Sequence, residues 1–239
     1  MNDAERVAQL AARLGLPEGA LPPHLALEAL RHGSYAHERR VAGEAVRSNE
    51  RLEFLGDAVI DLVVSLRCFE LFPDLDEGAL TRVRAALVNE DALAGVARSL
   101  GLGELLLLGR GEELSAGREK PSLLADALEA VLAAVHLGCA PEQERAVIDR
   151  LFAALFDAAR DGNVGRDFKT ELQEKMQASH RAAPVYRLID APGPHHARRF
   201  EVEVLLKGAP LARGTGRTKK EAEQAAAHAA LEAPLPDAS

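Results

Sequence analysis

Three carboxylates could act together near residue 50 of the chain. Glu50, Glu53 and Asp57 are three and four residues apart, and in an α-helix these spacings place side chains on one face. Apolar residues surround them from Leu52 to Val64, which predicts a helix that is apolar nearly all round and therefore buried. Buried carboxylates disfavour one another's ionisation unless a cation offsets the cost. The pattern therefore predicts a cation at this face.

Two kinds of cation could meet this need. Arg51 is adjacent to Glu50 in sequence, but on a helix it points about 100° away, so it is a poor partner. A hard divalent ion such as Mg²⁺ takes oxygen ligands and keeps several of its waters, so it is the best candidate. A solvated acidic helix face is the alternative for any isolated Glu-x-x-Glu, and the apolar surroundings argue against it here.

A second acidic pair lies in an apolar segment farther along the chain. Asp126 and Glu129 are the only formally charged residues between Pro121 and Ala140, and their spacing of three places them on one face of a helix. Pro121 suits the start of this helix and Gly138 its end, and the two charges argue against a membrane span. Two core helices that carry inward acids predict a metal site.

The composition indicates a globular protein. A length of 239 residues predicts one or two domains, and 47% apolar and 28% charged residues are typical of a soluble chain. The N-terminus lacks the apolar run of a secretory signal, so we expect a cytoplasmic protein without a membrane partner. Cys68 and Cys139 show no metal-ligand spacing and are predicted to be small buried apolar residues.

The charges are unevenly distributed along the chain. The net charge of −8 does not by itself suggest a nucleic-acid partner. Between Arg166 and Ala233, however, 12 Lys and Arg residues exceed 9 Asp and Glu residues, which gives +3 there and −11 in the remainder. This difference predicts a basic C-terminal domain and an acidic main domain with different electrostatic roles.

The apolar periodicity changes between the two parts of the chain. In the first part it predicts helices at 4–14, 24–31, 49–64, 79–100 (two helices divided near 89–90), 121–138 and 141–160, with an exposed loop at 109–121. A glycine-containing linker is predicted at 161–166. The second part predicts a helix at 167–179, an extended run at 184–190, strands near 200–204 and 210–214, and a helix at 219–233. That order is α-β-β-β-α.

Three motifs resemble those of a known family. Glu50–Val59, E-R-L-E-F-L-G-D-A-V, resembles the signature of the ribonuclease III endonuclease domain, and Leu124–Ala130, L-A-D-A-L-E-A, resembles its second acidic motif. Gly214–Ala226, G-T-G-R-T-K-K-E-A-E-Q-A-A, is similar to part of a double-stranded RNA-binding domain. The resemblance implies an all-α N-terminal endonuclease domain at 1–160 and an α+β (α-β-β-β-α) C-terminal double-stranded RNA-binding domain at 167–235.

The same resemblance implies an activity. Members of this family are endoribonucleases that hydrolyse phosphodiester bonds in double-stranded RNA with a divalent metal, Mg²⁺ or alternatively Mn²⁺, and need no organic cofactor. They leave staggered ends with 5′-phosphate and 3′-hydroxyl groups, and they process ribosomal RNA precursors and other structured transcripts. They act as homodimers, because one site per chain cuts one strand of a duplex.

The resemblance also assigns roles to residues of this sequence. The expected metal ligands, of which Asp57 and Glu129 are expected to be indispensable in catalysis, are Glu53, Asp57, Asp126 and Glu129. Two further acids, expected to touch RNA or water from an outer position, are Glu50 and Glu77. The expected RNA-binding residues are Thr170, Gln173, Glu174, His195, His196, Lys219 and Lys220. Lys219 and Lys220 open a helix, where the macrodipole disfavours positive charge, so a phosphate clamp explains them better than ordinary surface lysines do.

Several assignments stay open at this level. Phe54 fits either a dimer interface or core packing, and His32 fits a hydrogen-bonding tether better than an acid or base. Lys120 could contact the scissile phosphate, support Glu129 or be solvated. A catalytically silent binder of duplex RNA is a second hypothesis, but such a relative should have lost at least one metal ligand. A short-form relative would lack the RNA-binding domain that this chain has.

Overall fold

The structure, a computed structural model, describes residues 1–161, 167–191, 199–216 and 218–233. Within it the chain divides into two compact units, Met1–Arg166 and Asp167–Ser239. Apart from Asp161, the predicted linker at 161–166 lies outside the described residues.

The described part of the first unit is helical, as predicted. Its helices are α1 (Asp3–Leu14), α2 (Pro23–Ala29), α3 (Gly33–Val41), α4 (Glu50–Leu71), α5 (Glu77–Leu87), α6 (Glu90–Ser99), α7 (Leu102–Leu105), α8 (Arg110–Leu114), α9 (Pro121–Gly138), α10 (Pro141–Leu151) and α11 (Ala153–Arg160). The prediction contained no helix at the positions of α3 and α7, and two of its other details were wrong. The loop expected at 109–121 contains α8 and a 3₁₀ turn, and the single helix expected at 141–160 is broken at Phe152, whose ring is fully buried in the core.

Helix α9 is the centre of the first unit. It is long and apolar enough to cross a membrane by length and composition alone, but most of its apolar side chains lie in the hydrophobic core. Alanines occupy many of the buried positions on α9, so neighbouring helices can approach it closely. Helices α2, α4 and α6 pack against it.

Helix α4 departs from its predicted burial. It buries Leu52, Ile60 and Val64 against α9, but a second set of apolar side chains is 54–83% exposed. We call this set the apolar stripe; its members are Phe54, Leu62, Leu66 and Phe69. The prediction of a helix buried all round was wrong, because apolar character shows that a side chain avoids water but not that the same chain covers it.

The second unit has the predicted α-β-β-β-α order. Helix α12 (Phe168–His180) precedes an antiparallel sheet with strand order β1-β2-β3, and α13 (Lys219–Glu232) ends it. The strands are β1 (Val185–Asp190), β2 (Phe200–Leu206) and β3 (Ala209–Gly216). Helix α13 lies directly on β3, since a Cβ atom at Gly214 would come 2.1 Å from the backbone nitrogen of Ala226.

Candidate active site

Helices α4 and α9 cross at Gly56 with almost no space between their backbones. A Cβ atom at position 56 would lie 2.0 Å from the carbonyl oxygen of Glu129, a distance that no real side chain could occupy. Glu53 and Asp57 lie within one turn of Gly56 on α4, and Asp126 is one turn before Glu129 on α9. The crossing therefore brings the two acidic pairs together.

Three of the four predicted ligands converge. Glu53, Asp126 and Glu129 each offer a carboxylate oxygen, these oxygens all lie within 4.8 Å of one another, and the three residues are partly buried. Asp57 is exposed and lies outside this group of three. Three hard oxygen donors that are partly shielded from water fit a divalent cation such as Mg²⁺ or Mn²⁺.

The raised pKa values of the cluster show that its ionised form is disfavoured. Burial raises the pKa of Glu129 to about 7, and the charges of Asp57, Asp126 and Glu53 add to the effect. Burial also raises the pKa of Glu53, as does the charge of Asp126. Among the described residues, none of these carboxylates forms an ion pair with a lysine or arginine. The charge of His32 opposes the rise in the pKa of Asp126 that burial and the charge of Glu90 cause.

The outer acids occupy different places. Glu50 is exposed at the start of α4, accepts a hydrogen bond from Ser48 Oγ at 2.7 Å, and its charge raises the pKa of Glu53. Glu77 is the first residue of α5 and accepts a bond from Thr81 Oγ1 at 3.3 Å. The structure does not place Glu77 in the three-acid group; it lies beside the apolar stripe, where it helps to line a cavity.

Two residues whose roles were open have defined partners. His32 caps α3, and its Nδ1 accepts a hydrogen bond from the backbone N–H of Ser34 at 3.2 Å, a tethering contact. The ammonium group of Lys120 lies 2.8 Å from Glu112 Oε2 and 2.9 Å from Ser115 Oγ. Lys120 is therefore neither freely solvated nor a support for Glu129.

Sequence reasoning missed Glu90. This residue begins α6, and its charge adds to burial in raising the pKa of Asp126. In the sequence it marked only the break between two helices, and nothing in the local pattern connects it with Asp126. The importance of Gly56 had a signal, because a glycine within an apolar helical pattern often marks a close approach of another backbone.

The second unit gathers several of the predicted RNA-binding residues. Thr170, Gln173 and Lys220 help to line a cavity of about 310 Å³, and Lys219 and Lys220 are the exposed first two residues of α13.

Of the three remaining predicted RNA-binding residues, the structure describes one. Glu174 is exposed on α12, whereas His195 and His196 lie outside the described residues. The hydroxyl group of Thr170 donates to Asp167 Oδ2 at 2.8 Å, so part of its hydrogen-bonding capacity is already used.

Comparison with known proteins agrees with this two-part organisation. Residues 22–155 match the family described as Ribonuclease-III-like, and residues 168–233 match the double-stranded RNA binding motif. The chain is 49% identical over 239 residues to Ribonuclease 3 of Myxococcus xanthus, covering 100% of this chain and 90% of that one. It is 50% identical over 206 residues to Ribonuclease 3 of Geobacter metallireducens, covering 85% and 82%.

A solved structure resembles the first unit. The nuclease domain of ribonuclease III from Campylobacter jejuni is 40% identical, with a TM-score of 0.55, and the match covers 63% of this chain and 99% of that one. That structure is described as flexible in a region involved in dimer formation.

A helical nuclease unit joined to a double-stranded RNA-binding unit defines an endoribonuclease specific for double-stranded RNA. The family matches extend over both units, and the identity to whole relatives is close to one half. The chain belongs to the ribonuclease III family.

Proposed function

We propose that this protein cleaves both strands of duplex RNA by divalent-metal catalysis with Mg²⁺, and that Mn²⁺ can replace it. The products are staggered ends with 5′-phosphate and 3′-hydroxyl groups. The observation that carries the proposal is the convergence of Glu53, Asp126 and Glu129 within 4.8 Å without a basic partner among the described residues.

Each acid has a proposed role. Glu53, Asp126 and Glu129 hold the metal, and Asp57 completes the ligand set from the exposed edge of α4. When bound, divalent metal activates the attacking water and stabilises charge on the phosphate oxygens. The carboxylates fix the position at which this chemistry occurs, and without a countercharge they repel the RNA backbone. The exposed Glu50 and Glu77 act farther out, on RNA or on water.

The second unit is proposed to hold the substrate. Thr170, Gln173 and Glu174 contact ribose hydroxyl groups, as do His195 and His196, so RNA is distinguished from DNA. Such domains span about 16 base pairs and read the A-form shape more than the sequence.

The two lysines that open α13 are expected to bind phosphate. Replacing Lys219 or Lys220 by alanine should weaken binding to every duplex RNA sequence alike. The slope of log K against log salt concentration should become shallower by about 1 for each phosphate that is no longer neutralised. Binding measured at several salt concentrations checks this prediction. The control is Lys207→Ala, an exposed lysine in the turn between β2 and β3. An unchanged salt slope in both lysine variants would contradict the clamp.

We also propose that the protein is a homodimer that forms through the apolar stripe. Phe54 is 83% exposed near the start of α4. Farther along the same helix, Leu62, Leu66 and Phe69 line a cavity of about 580 Å³. Exposed apolar groups on this scale mark an interaction surface. A second copy can cover the stripe and supplies the second site that cleavage of both strands requires.

Replacement of Phe54 by serine should shift the protein from dimer to monomer. The change removes a large exposed aromatic side chain from the proposed contact, and aromatic anchors at interfaces can contribute about 2 kcal/mol or more to association. Sedimentation velocity at micromolar concentration measures the result. Val41→Ser is a matched control, because Val41 is 77% exposed at the end of α3. A Phe54 variant that remains dimeric would exclude the stripe as the interface.

The function as a whole is tested with labelled RNA. Purified protein is incubated with duplex RNA, single-stranded RNA or duplex DNA in Mg²⁺, in Mn²⁺ and in EDTA, and the product ends are identified. We expect cleavage of duplex RNA in either metal and none in EDTA. Binding without cleavage in both metals would instead support a catalytically silent RNA binder.

The cellular substrates are a separate part of the proposal. We propose processing of ribosomal RNA precursors and other structured transcripts in the cytoplasm, because these contain the duplex segments that the second unit would recognise. Accumulation of unprocessed precursors in cells that lack the protein is the expected result.

A further inference from the structure

The N-terminus of α12 is capped from another helix. The first backbone N–H groups of any helix have no partner within it and need external acceptors. Asp167 accepts from the N–H of Thr170 at 3.2 Å, the usual local cap. The N–H of Lys169 donates instead to Gln224 Oε1 at 3.3 Å, and Gln224 belongs to α13.

The Gln224 carboxamide makes a second contact at the same place. Its Nε2 donates to Asp167 Oδ1 at 2.9 Å. The side chain of Gln224 therefore binds both the capping residue Asp167 and the first turn of α12. A hydrogen bond to an ionised carboxylate is stronger than a neutral one. These two bonds hold the first turn of α12 in a fixed position relative to α13.

A neighbouring ion pair strengthens the same junction. Lys169 Nζ lies 2.6 Å from Glu223 Oε2 and 4.7 Å from the centre of the Tyr186 ring. The Glu223 side chain is only 15% exposed, so this pair is less screened than a surface salt bridge. The contacts of Lys169 and Gln224 together form what we call the helix junction.

The helix junction lies between the two surfaces proposed to touch RNA. On α12, Thr170 and Gln173 follow the junction within about one turn. On α13, Lys219 and Lys220 precede Gln224 by about one turn. A duplex presents ribose hydroxyls in its minor groove and phosphates across its major groove at a spacing that A-form geometry fixes. Two protein surfaces can meet both only if their own separation is fixed.

We propose that Gln224 is a positioning residue for duplex RNA: it sets the separation between the ribose-contacting side chains of α12 and the lysines of α13. The inference rests on the RNA-binding role proposed above for these residues. Gln224 lines the same cavity as Thr170, Gln173 and Lys220, and its proposed positioning effect passes through Asp167 and the backbone of Lys169.

Reversal of the hydrogen bond tests this role. In Gln224→Glu, a carboxylate faces Asp167 and the junction opens by like-charge repulsion. In the double variant, which combines Asp167→Asn with Gln224→Glu, the new amide on α12 can donate to the new carboxylate on α13 while its oxygen still caps Thr170. The double variant has the same net charge as the wild type, so it separates loss of the bond from added charge. Gln224→Ala removes both bonds without adding charge and serves as a further variant.

Binding is measured by gel shift on the full chain in EDTA with two labelled RNA duplexes. One has about 16 base pairs, the span of such a domain, and the other about half that length, which cannot offer both sets of contacts at full spacing. We expect Gln224→Glu to lose about tenfold in affinity for the long duplex, equivalent to about 1.4 kcal/mol. The short duplex should bind almost as before, and the double variant should recover the long-duplex affinity.

The outcomes separate positioning from simple loss of structure. Equal losses on both duplexes, with no recovery in the double variant, would show a general structural effect and overturn the proposal. Unchanged binding by Gln224→Glu and Gln224→Ala, in chains that melt like the wild type, would overturn it too. If the wild type fails to bind the long duplex, the proposed RNA-binding role fails and this inference fails with it.

Discussion

Glu129→Gln is expected to abolish cleavage and at the same time to stabilise the metal-free protein. Loss of a charged group from the centre of a preorganised catalytic site costs about 10²-fold to 10³-fold or more in rate. Glutamine keeps the shape of the side chain, so duplex RNA binding through the second unit should remain. Cleavage and gel-shift assays on the same labelled duplex, in Mg²⁺ and in EDTA, measure the two effects.

The stabilisation follows from the pKa of Glu129. Burial and three neighbouring carboxylates raise this pKa to about 7 in the folded protein, from 4.5 for an unperturbed glutamate. The folded state then binds a proton more tightly than the unfolded state, so stability falls as the pH rises from about 4.5 to about 7. The ionised carboxylate therefore lowers stability above this window, and glutamine avoids that loss.

Thermal unfolding in EDTA provides the measurement. The variant should melt at a higher temperature than the wild type at pH 8 and at nearly the same temperature near pH 4.5. Mg²⁺ should then raise the melting temperature of the wild type more than that of the variant, because a ligand stabilises the state that binds it. Glu142→Gln, at an exposed position on α10, is the control and should show neither effect. A Glu129 variant that cuts like the wild type would falsify the proposed metal site.

Gly56→Ala is expected to damage both stability and activity. The added methyl group would lie 2.0 Å from the carbonyl oxygen of Glu129, so α4 and α9 would have to move apart. Overpacking of this kind costs about 1 to 3 kcal/mol, and sometimes more. Glu53 and Asp57 would shift away from the acids of α9, and a displacement of about 1 Å can cost 10²-fold in rate.

A second glycine provides the matched control for Gly56. Gly95 lies in α6 with no neighbouring atom within 4 Å of a Cβ atom built there. Gly95→Ala should therefore be neutral or stabilise the protein by up to about 1 kcal/mol through helix propensity. Melting temperature and kcat/KM are measured for both variants. If the two substitutions behave alike, the close crossing does not position the acids.

Much of the helical framework could be predicted from local chemistry. The limits of α9 were predictable because Pro121 and Gly138 bracket a segment with two charges. The α-β-β-β-α order followed from the change of periodicity after the predicted linker. The break at Phe152 was not predictable in this way, since one amphipathic pattern extends across it and burial of the ring decides the bend.

The site was harder to predict than the helices that form it. Spacing places Glu53 and Asp57 on one face of α4, but the distance between that face and α9 depends on the contact at Gly56. The pairing of Lys120 with Glu112 depends on how the 109–121 segment folds. Glu90 acts on Asp126 from a different helix. Each of these is a tertiary relation that a local pattern does not contain.

The apolar stripe of α4 has a thermodynamic consequence. If a second copy covers Phe54, Leu62 and Phe69, the stability of each chain includes the free energy of association. The melting temperature then depends on the protein concentration as well as on the sequence. Dilution would weaken the fold of the nuclease unit itself, so the amount of enzyme present sets how much of it is intact.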